Sequence, residues 1–194
     1  MMKFPEDSKK IKEYFRFIHH KTYDISLIKN ELFHLNNEWF DDTHRQDLYG
    51  FHKNTNTLFL INYDNNWNYR TRYKIKKLYP NYKIWQYVNP IIKDLEELHF
   101  GKVGRVMFTK LKANSKIYKH HDSSEYLEIV RRHHIPIITN NKVFFNIDNG
   151  SLNMLEGECW EINNMKLHEV INNSDEDRIH LMIDIIPNKY INDN

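Results

Sequence analysis

His120, Asp122 and His168, followed by Arg178, are the side chains in this sequence whose types and order could do chemistry together. Two imidazoles and one carboxylate on one face of a metal leave the opposite positions open, which is the ligand set of non-haem iron(II) oxygenases. Arg178 opens the apolar run RIHLMIDII, where a guanidinium is costly to bury without an anionic partner. A dicarboxylate co-substrate would supply that partner, because guanidinium binds carboxylate in a planar bidentate fork that lysine cannot copy. His180 falls on the same strand face as Arg178.

An H-x-D triplet arises readily by chance in a chain with 12 histidines. His19, His20, His34, His44, His52, His99, His121 and His133 read as surface or packing residues. Arg178 could instead form a structural salt bridge with Asp184 or Glu176. The conjunction favours the metal reading, since all four elements fall in order within a strand-rich half.

Eight short strand-like segments fill that half: 103–111, 116–122, 132–139, 142–147, 151–154, 158–162, 167–172 and 178–186. In a strand, residues i and i+2 point to one side, so His120 and Asp122 would form a chelating pair while His121 faces away. His168 returns to the same mouth after the turn Asn163–Lys166, and a polar turn, Asn172–Asp177, reverses the chain before Arg178. Upstream, Ile11, Tyr14, Phe15 and Ile18 suggest a helix from near Ser8, and Ile25, Ile28, Leu32 and Leu35 a second, capped by Asp24 or Ser26 and ending at Asn36 and Asn37. Thr57–Asn62 reads as a strand, Asp64–Asn68 as a turn, and Asn89-Pro90 as the start of a helix through His99. The fold expected is mainly β (α+β): a double-stranded β-helix, jelly-roll or cupin-like, with N-terminal buttressing helices. One domain, 1–194, is expected, with a mixed support region at 1–100 and the catalytic core at 101–190.

With 194 residues, 40% hydrophobic and 14% aromatic, the chain can bury a core without disulfides. A net charge of +2 is too mild to imply a nucleic-acid partner, and the basic stretch Arg70–Lys77 reads as a solvated face. One cysteine, Cys159, excludes an internal disulfide framework and a cysteine-built zinc site, and fits a reducing compartment. No apolar run of membrane-spanning length and no secretion signal is found, so a soluble, cytoplasmic protein is expected.

Four motifs in order, I-x-x-H-x-D at Ile117–Asp122, R-x-H-I-P at Arg132–Pro136, L-H-E-V-x-N at Leu167–Asn172 and R-x-H-L at Arg178–Leu181, resemble the aspartyl/asparaginyl β-hydroxylase family of 2-oxoglutarate and iron(II)-dependent oxygenases. The resemblance covers about 103–187. It implies that His120, Asp122 and His168 bind Fe(II) and that Arg178 binds the distal carboxylate of 2-oxoglutarate. It also implies that Thr109 helps hold that carboxylate, and that Arg132 and His134 lie against the co-substrate. For Thr109, an ordinary strand threonine is the alternative; for Arg132 and His134, ordinary charge pairing on a sheet face.

Arg131 and His133, out of phase with that pair, are expected on the solvent side. Some animal relatives replace the metal carboxylate with glycine; this chain keeps Asp122, which resembles the complete-triad branch. No general base is implied, and no catalytic residue beyond the metal ligands. Glu161, Asn163, Asn164 and Glu169 are candidates to orient His168, and Trp160 to wall the substrate pocket. Trp39, Phe40, Trp67 and Trp85 are expected to support the fold.

The activity implied is hydroxylation, with O2, of an aspartyl/asparaginyl or other amino-acid residue in a peptide or protein, coupled to conversion of 2-oxoglutarate to succinate. The alternatives are a hydroxylase of a free amino acid such as proline, and a non-catalytic cupin-like metal- or ligand-binding module.

Overall fold

The computed structural model describes residues 12–13, 15–35, 38–40, 42–62 and 75–191. Its strands are β1 (Phe17–Thr22), β2 (Thr55–Asn62), β3 (Lys76–Lys77), β4 (Gly101–Leu111), β5 (Ser115–His120), β6 (Arg131–Ile138), β7 (Val143–Ile147), β8 (Gly150–Leu152), β9 (Glu158–Ile162), β10 (His168–Asn172) and β11 (Arg178–Pro187). The α-helices are α1 (Ser26–Leu32), α2 (His44–Leu48), α3 (Ile84–His99) and α4 (Glu125–Ile129). A seven-stranded sheet, β1-β9-β6-β11-β4-β2-β3, faces a four-stranded one, β5-β10-β7-β8, with every pairing antiparallel. This is a double-stranded β-helix. No helix among the described residues is long and apolar enough to cross a membrane.

Strand β11 is central to the large sheet, and all ten of its residues are buried. Alternation gives it two characters. Ile179, Leu181, Ile183 and Ile185 join a core that includes Ile28 and Leu32 of α1 and Trp85, Val88 and Leu95 of α3. Arg178, His180, Met182 and Asp184 take the opposite side, toward the small sheet. Between the sheets, Leu111, Ile117, Phe145, Ile147, Ile162 and Val170 form a second apolar cluster. Burying one such aliphatic or aromatic side chain stabilises by about 1.5–3 kcal/mol.

Helix α3 begins at Ile84, upstream of the Asn89-Pro90 start read from sequence, and Pro90 lies inside it on the solvent face. An interior proline costs about 3 kcal/mol. Burial of Ile84, Trp85, Val88, Ile91, Ile92 and Leu95 outweighs that cost several-fold. Of the expected first helix, residues 1–11 and 14 lie outside the described residues, while Ile18 belongs to β1, which pairs antiparallel with the edge of β9. Strand pairing there satisfies the free hydrogen-bonding edge of β9, and that long-range contact overrides the local helical periodicity. The expected turn at 64–68, the break at Asn36 and Asn37, Trp67 and most of the basic stretch also lie outside the described residues. Of that stretch, Lys77 sets its ammonium 3.8 Å from the Trp85 ring centroid.

The β10–β11 turn, which separates His168 from Arg178, is organised by the fully buried Asn172. Its amide donates to Glu176 O (2.8 Å) and Lys112 O (3.1 Å), and its Oδ1 accepts from Ser174 N (3.1 Å) and Ser174 Oγ (2.6 Å). Removing the side chain strands several buried polar groups at about 1–3 kcal/mol each. Asn172→Ala is therefore expected to lower unfolding stability by roughly 3 kcal/mol, read from urea denaturation, and a change below 0.5 kcal/mol contradicts this account of the turn.

Candidate metal and co-substrate site

His120 ends β5 and His168 begins β10, and the two are cross-strand partners in register. Their rings lie 4.3 Å apart between centroids. Each imidazole is fixed by the carbonyl two residues earlier: His120 Nδ1 donates to Tyr118 O at 2.7 Å and His168 Nδ1 to Lys166 O at 2.8 Å. Those bonds place the ring proton on Nδ1 and leave Nε2 as the lone-pair donor. The ligand atoms of His120, Asp122 and His168 lie within 4.8 Å of one another.

Asp122 reaches this point by a route different from the strand alternation expected. Strand β5 stops at His120, and Asp122 sits in the loop before α4. Its backbone N–H bonds Asn164 O (3.1 Å), and its carboxylate accepts from Arg132 Nη1. Asn164 is pinned in turn, its Oδ1 accepting from Lys12 Nζ at 2.8 Å and its Nδ2 donating to Leu127 O at 3.0 Å. The strand ends there because the chain must leave the sheet to bring the carboxylate back over the two imidazoles.

Arg132 also grips Asp184 with Nε and Nη2, both at 2.8 Å, and Tyr126 Oη donates to Asp184 at 3.2 Å. Asp184 is thus Arg132's partner, and Arg178 has no carboxylate partner among the described residues, so neither alternative salt bridge for Arg178 forms. Arg178 is 1% exposed. Its Nη2 meets His180 Nδ1 at 2.6 Å, while its Nε is a buried donor with no protein acceptor. His180 Nε2 and His134 Nδ1 are likewise buried without partners. Two orphaned ring nitrogens beside an uncompensated guanidinium whose own Nε is unpaired fit a polar, anionic small molecule at this end of the cavity.

One open-mouthed cavity, enclosing about 490 Å³ with its mouth, is lined by His120, Asp122 and His168, by Arg178 and Thr109, and by Arg132 and His134. The structure therefore brings together the seven residues expected at the metal and the co-substrate. Thr109 is the cross-strand partner of His180, next to the Arg178 side chain. Arg45 of α2 and His52 line the same cavity, which the sequence did not suggest. Arg45 donates to Thr57 Oγ1 (3.3 Å) and meets His52 Nε2 (3.0 Å), with no carboxylate partner among the described residues. It lies in the polar stretch DDTHRQD, where nothing in the pattern separates it from a solvated arginine. Phe51 stacks on His120 at 4.1 Å between centroids.

A family model for aspartyl/asparaginyl β-hydroxylases matches residues 23–187. The chain belongs to this family. As a member of this family it is an oxygenase enzyme on a double-stranded β-helix fold. Among solved structures, an oxidoreductase of the 2OG-Fe(II) oxygenase family from Burkholderia pseudomallei superposes with a TM-score of 0.60, covering 95% of this chain and 91% of that chain at 11% identity. At that identity the likeness speaks for the fold alone. A cupin domain from Bordetella pertussis (TM-score 0.34, 18% identity, 42% of this chain and 79% of that chain) is a more distant match. A predicted oxalate decarboxylase from Thermotoga maritima (0.36, 14%, 47% and 73%) is another, and neither carries an argument. No curated protein matches the sequence.

The electrostatics of this β-hydroxylase-family site suit a divalent metal. Burial pushes the Asp122 carboxyl up, but Arg132 foremost, then His168 and His120, more than offset it and hold the group ionised below the usual range. Asp184 behaves alike, with Arg132 again outweighing burial. Burial lowers both His120 and His168, keeping them neutral as metal ligation requires. Burial alone pulls the Arg178 guanidinium down to about 9, still cationic at neutral pH.

Several expected neighbours lie elsewhere. Glu161, Arg131 and His133 sit on the other face of the large sheet, and Arg131 and His133 are buried, 8% and 0% exposed, instead of facing solvent. The helical layer covers that face, so out-of-phase residues of β6 are as enclosed as in-phase ones. Asn163 supports the loop by donating to Phe15 O (2.9 Å), and Glu169 accepts from Asn146 (3.1 Å). Trp160 does not line the cavity; it packs against His19 and donates to Glu158 at 2.9 Å. Trp39 and Trp85 are core residues.

The buried imidazoles make the metal-free protein acid-sensitive. Burial draws His133 down to about 4 and holds His134 and His180 well below their ordinary value. The unfolded chain then binds protons that the folded chain refuses, so their contribution is complete above about pH 6.5 and is lost as pH falls toward the folded values. Each adds up to about 1.4 kcal/mol per pH unit in that window. Urea unfolding of metal-free protein should show stability falling by more than about 2 kcal/mol from pH 6.5 to 5; a flat profile contradicts the burial of neutral histidines.

Proposed function

We propose that this chain is a 2-oxoglutarate- and Fe(II)-dependent dioxygenase that hydroxylates an aspartyl/asparaginyl or other amino-acid residue in a peptide or protein, coupled to decarboxylation of 2-oxoglutarate to succinate. The observation that carries it is Arg178: a buried guanidinium without a carboxylate partner, lining the same cavity as His120, Asp122 and His168. A metal-binding module would need the triad alone. The added uncompensated cation, with Thr109 beside it, supports a co-substrate bearing a carboxylate remote from the metal.

When bound, Fe(II), 2-oxoglutarate and O2 together supply the oxidant that replaces a substrate C–H with C–OH. The protein's residues do the rest. His120, Asp122 and His168 would hold the metal, and as a three-residue ligand set they would leave room for co-substrate and O2. Arg178 and Thr109 hold the distal carboxylate, while His134 and His180, with unpaired ring nitrogens nearby, complete the polar lining. Arg132 keeps Asp122 ionised and oriented through its second contact with Asp184. Phe145 stacks along His168, 5.9 Å between centroids, and with Ile117 and Val170 limits water in the cavity. Arg45 offers positive charge, and His52, which burial keeps neutral, a hydrogen bond, to a substrate carboxylate or amide.

Succinate release from 2-oxoglutarate under air, dependent on Fe(II), tests the activity, and its absence from fully iron-loaded protein with a broad peptide set overturns it. Arg178→Ala should weaken 2-oxoglutarate binding by about 10- to 100-fold with Fe(II) affinity unchanged, measured by calorimetry; equal loss of both ligands contradicts the assigned role. Arg45→Ala is expected to raise KM for the peptide by about tenfold while leaving substrate-independent 2-oxoglutarate turnover intact, and an unchanged KM removes Arg45 from substrate binding.

A further inference from the structure

On the side of the large sheet away from the cavity, His20 of β1, His99 at the end of α3, His133 of β6 and Glu161 of β9 converge. Their ligand atoms all lie within 4.8 Å of one another. His99 Nε2 is 2.9 Å from His133 Nε2, and His20 Nε2 is 3.1 Å from Glu161 Oε2. Zinc bonds of 2.0–2.1 Å in a tetrahedron separate neighbouring ligand atoms by about 3.3 Å, so both short edges are near that of a coordination shell. We infer that these four residues form a second metal centre, a structural site for Zn2+ or a similar divalent transition ion.

The surroundings prepare the donors. His133 Nδ1 faces Ile183 O at 3.3 Å, which directs the ring proton there and the Nε2 lone pair toward the cluster. Arg131 holds Glu161 through Nε to Oε1 and Nη2 to Oε2, orienting the carboxylate while leaving one lone pair on Oε2. Burial draws His99 down to about 2 and His133 to about 4, so neither is a cation that would repel a metal. His133 and Glu161 are fully buried, whereas His20 and His99 are partly exposed and give the ion a way in.

Hydrogen bonds alone would join these groups only in pairs, His99 with His133 and Glu161 with His20 and Arg131. One ion joins all four. Three imidazoles and one carboxylate from the protein fill a tetrahedron, the pattern of a closed structural site, in contrast to the open triad of the cavity. Such an ion staples the edge strand β1 and the end of α3 to β6 and β9. On the opposite face of β6, Arg132 and His134 line the cavity, so the staple also stiffens the strand that positions them.

The test uses the full chain carrying His120→Ala and His168→Ala, which removes the first centre. After chelation it is titrated with Zn2+ and, separately, with Co2+. One equivalent of each should bind, Co2+ should give the intense visible d–d bands of four-coordinate cobalt, and Zn2+ should raise Tm by about 5 °C or more. Adding His99→Ala should abolish all three; His20→Ala serves the same purpose should the first variant fold poorly by circular dichroism. No binding in the starting variant, or binding that survives loss of both His99 and His20, overturns the inference. Because the first centre is absent, the outcome is independent of whether the enzyme uses 2-oxoglutarate.

Discussion

The site depends on Arg132, a buried guanidinium held between two carboxylates. With Asp184 on one side and Asp122 on the other, it converts a sheet position in β6 into an anchor for a loop residue that no strand supports. Breaking a buried pair of this kind typically costs about 3–5 kcal/mol, because the surviving charge is left in a poorly polarisable interior. The same contact removes Asp184 as a partner for Arg178, which leaves a second arginine uncompensated a few residues along β11. The contrast between the two arginines is therefore an electrostatic consequence of one pairing choice: Arg132 is neutralised within the protein, while Arg178 has no carboxylate partner among the described residues.

Alternation on β6 and β11 sets the rest. Arg178 and Met182 of β11 and the pair Arg132 and His134 line the cavity, and His180 and Asp184 lie on the same side of β11; odd-numbered aliphatics of β11 face the helices. A one-residue slip between these strands would exchange polar and apolar faces. The β11–β6 ladder from Ile179↔Ile138 to Ile185↔Arg131 fixes that register, so strands, core and chemistry are specified together.

Much of this was legible in the sequence, for identifiable reasons. The strands of the second half lie within a few residues of their expected positions because each is a short apolar run between polar turns. The convergence of the quartet on one cavity was expected because metal and carboxylate chemistry restrict residue type. Asp122 joins that cavity by a route other than the one expected, since strand ends depend on distant partners such as Asn164 and Arg132. Arg45 carried no signal at all: its importance comes from the packing of α2 against β2, which sequence proximity does not encode. The buried Asp184, in contrast, had a readable signal, a lone carboxylate in an apolar strand that requires a cation.

The cluster of His20, His99, His133 and Glu161 shows the same limit, since four separate elements bring it together and none of its spacings is a motif. In a chain rich in histidine, only three-dimensional convergence distinguishes a packing imidazole from a ligand.

In solution the triad and Arg178 should bind one metal and one dicarboxylate together. Anaerobic titration of the full chain with Fe(II) and then 2-oxoglutarate, followed by visible absorption, tests it most directly. The account predicts the weak charge-transfer band of the iron–2-oxo acid chelate, saturating at one equivalent and missing in His168→Ala. Iron binding that yields no such band at saturating 2-oxoglutarate would contradict it.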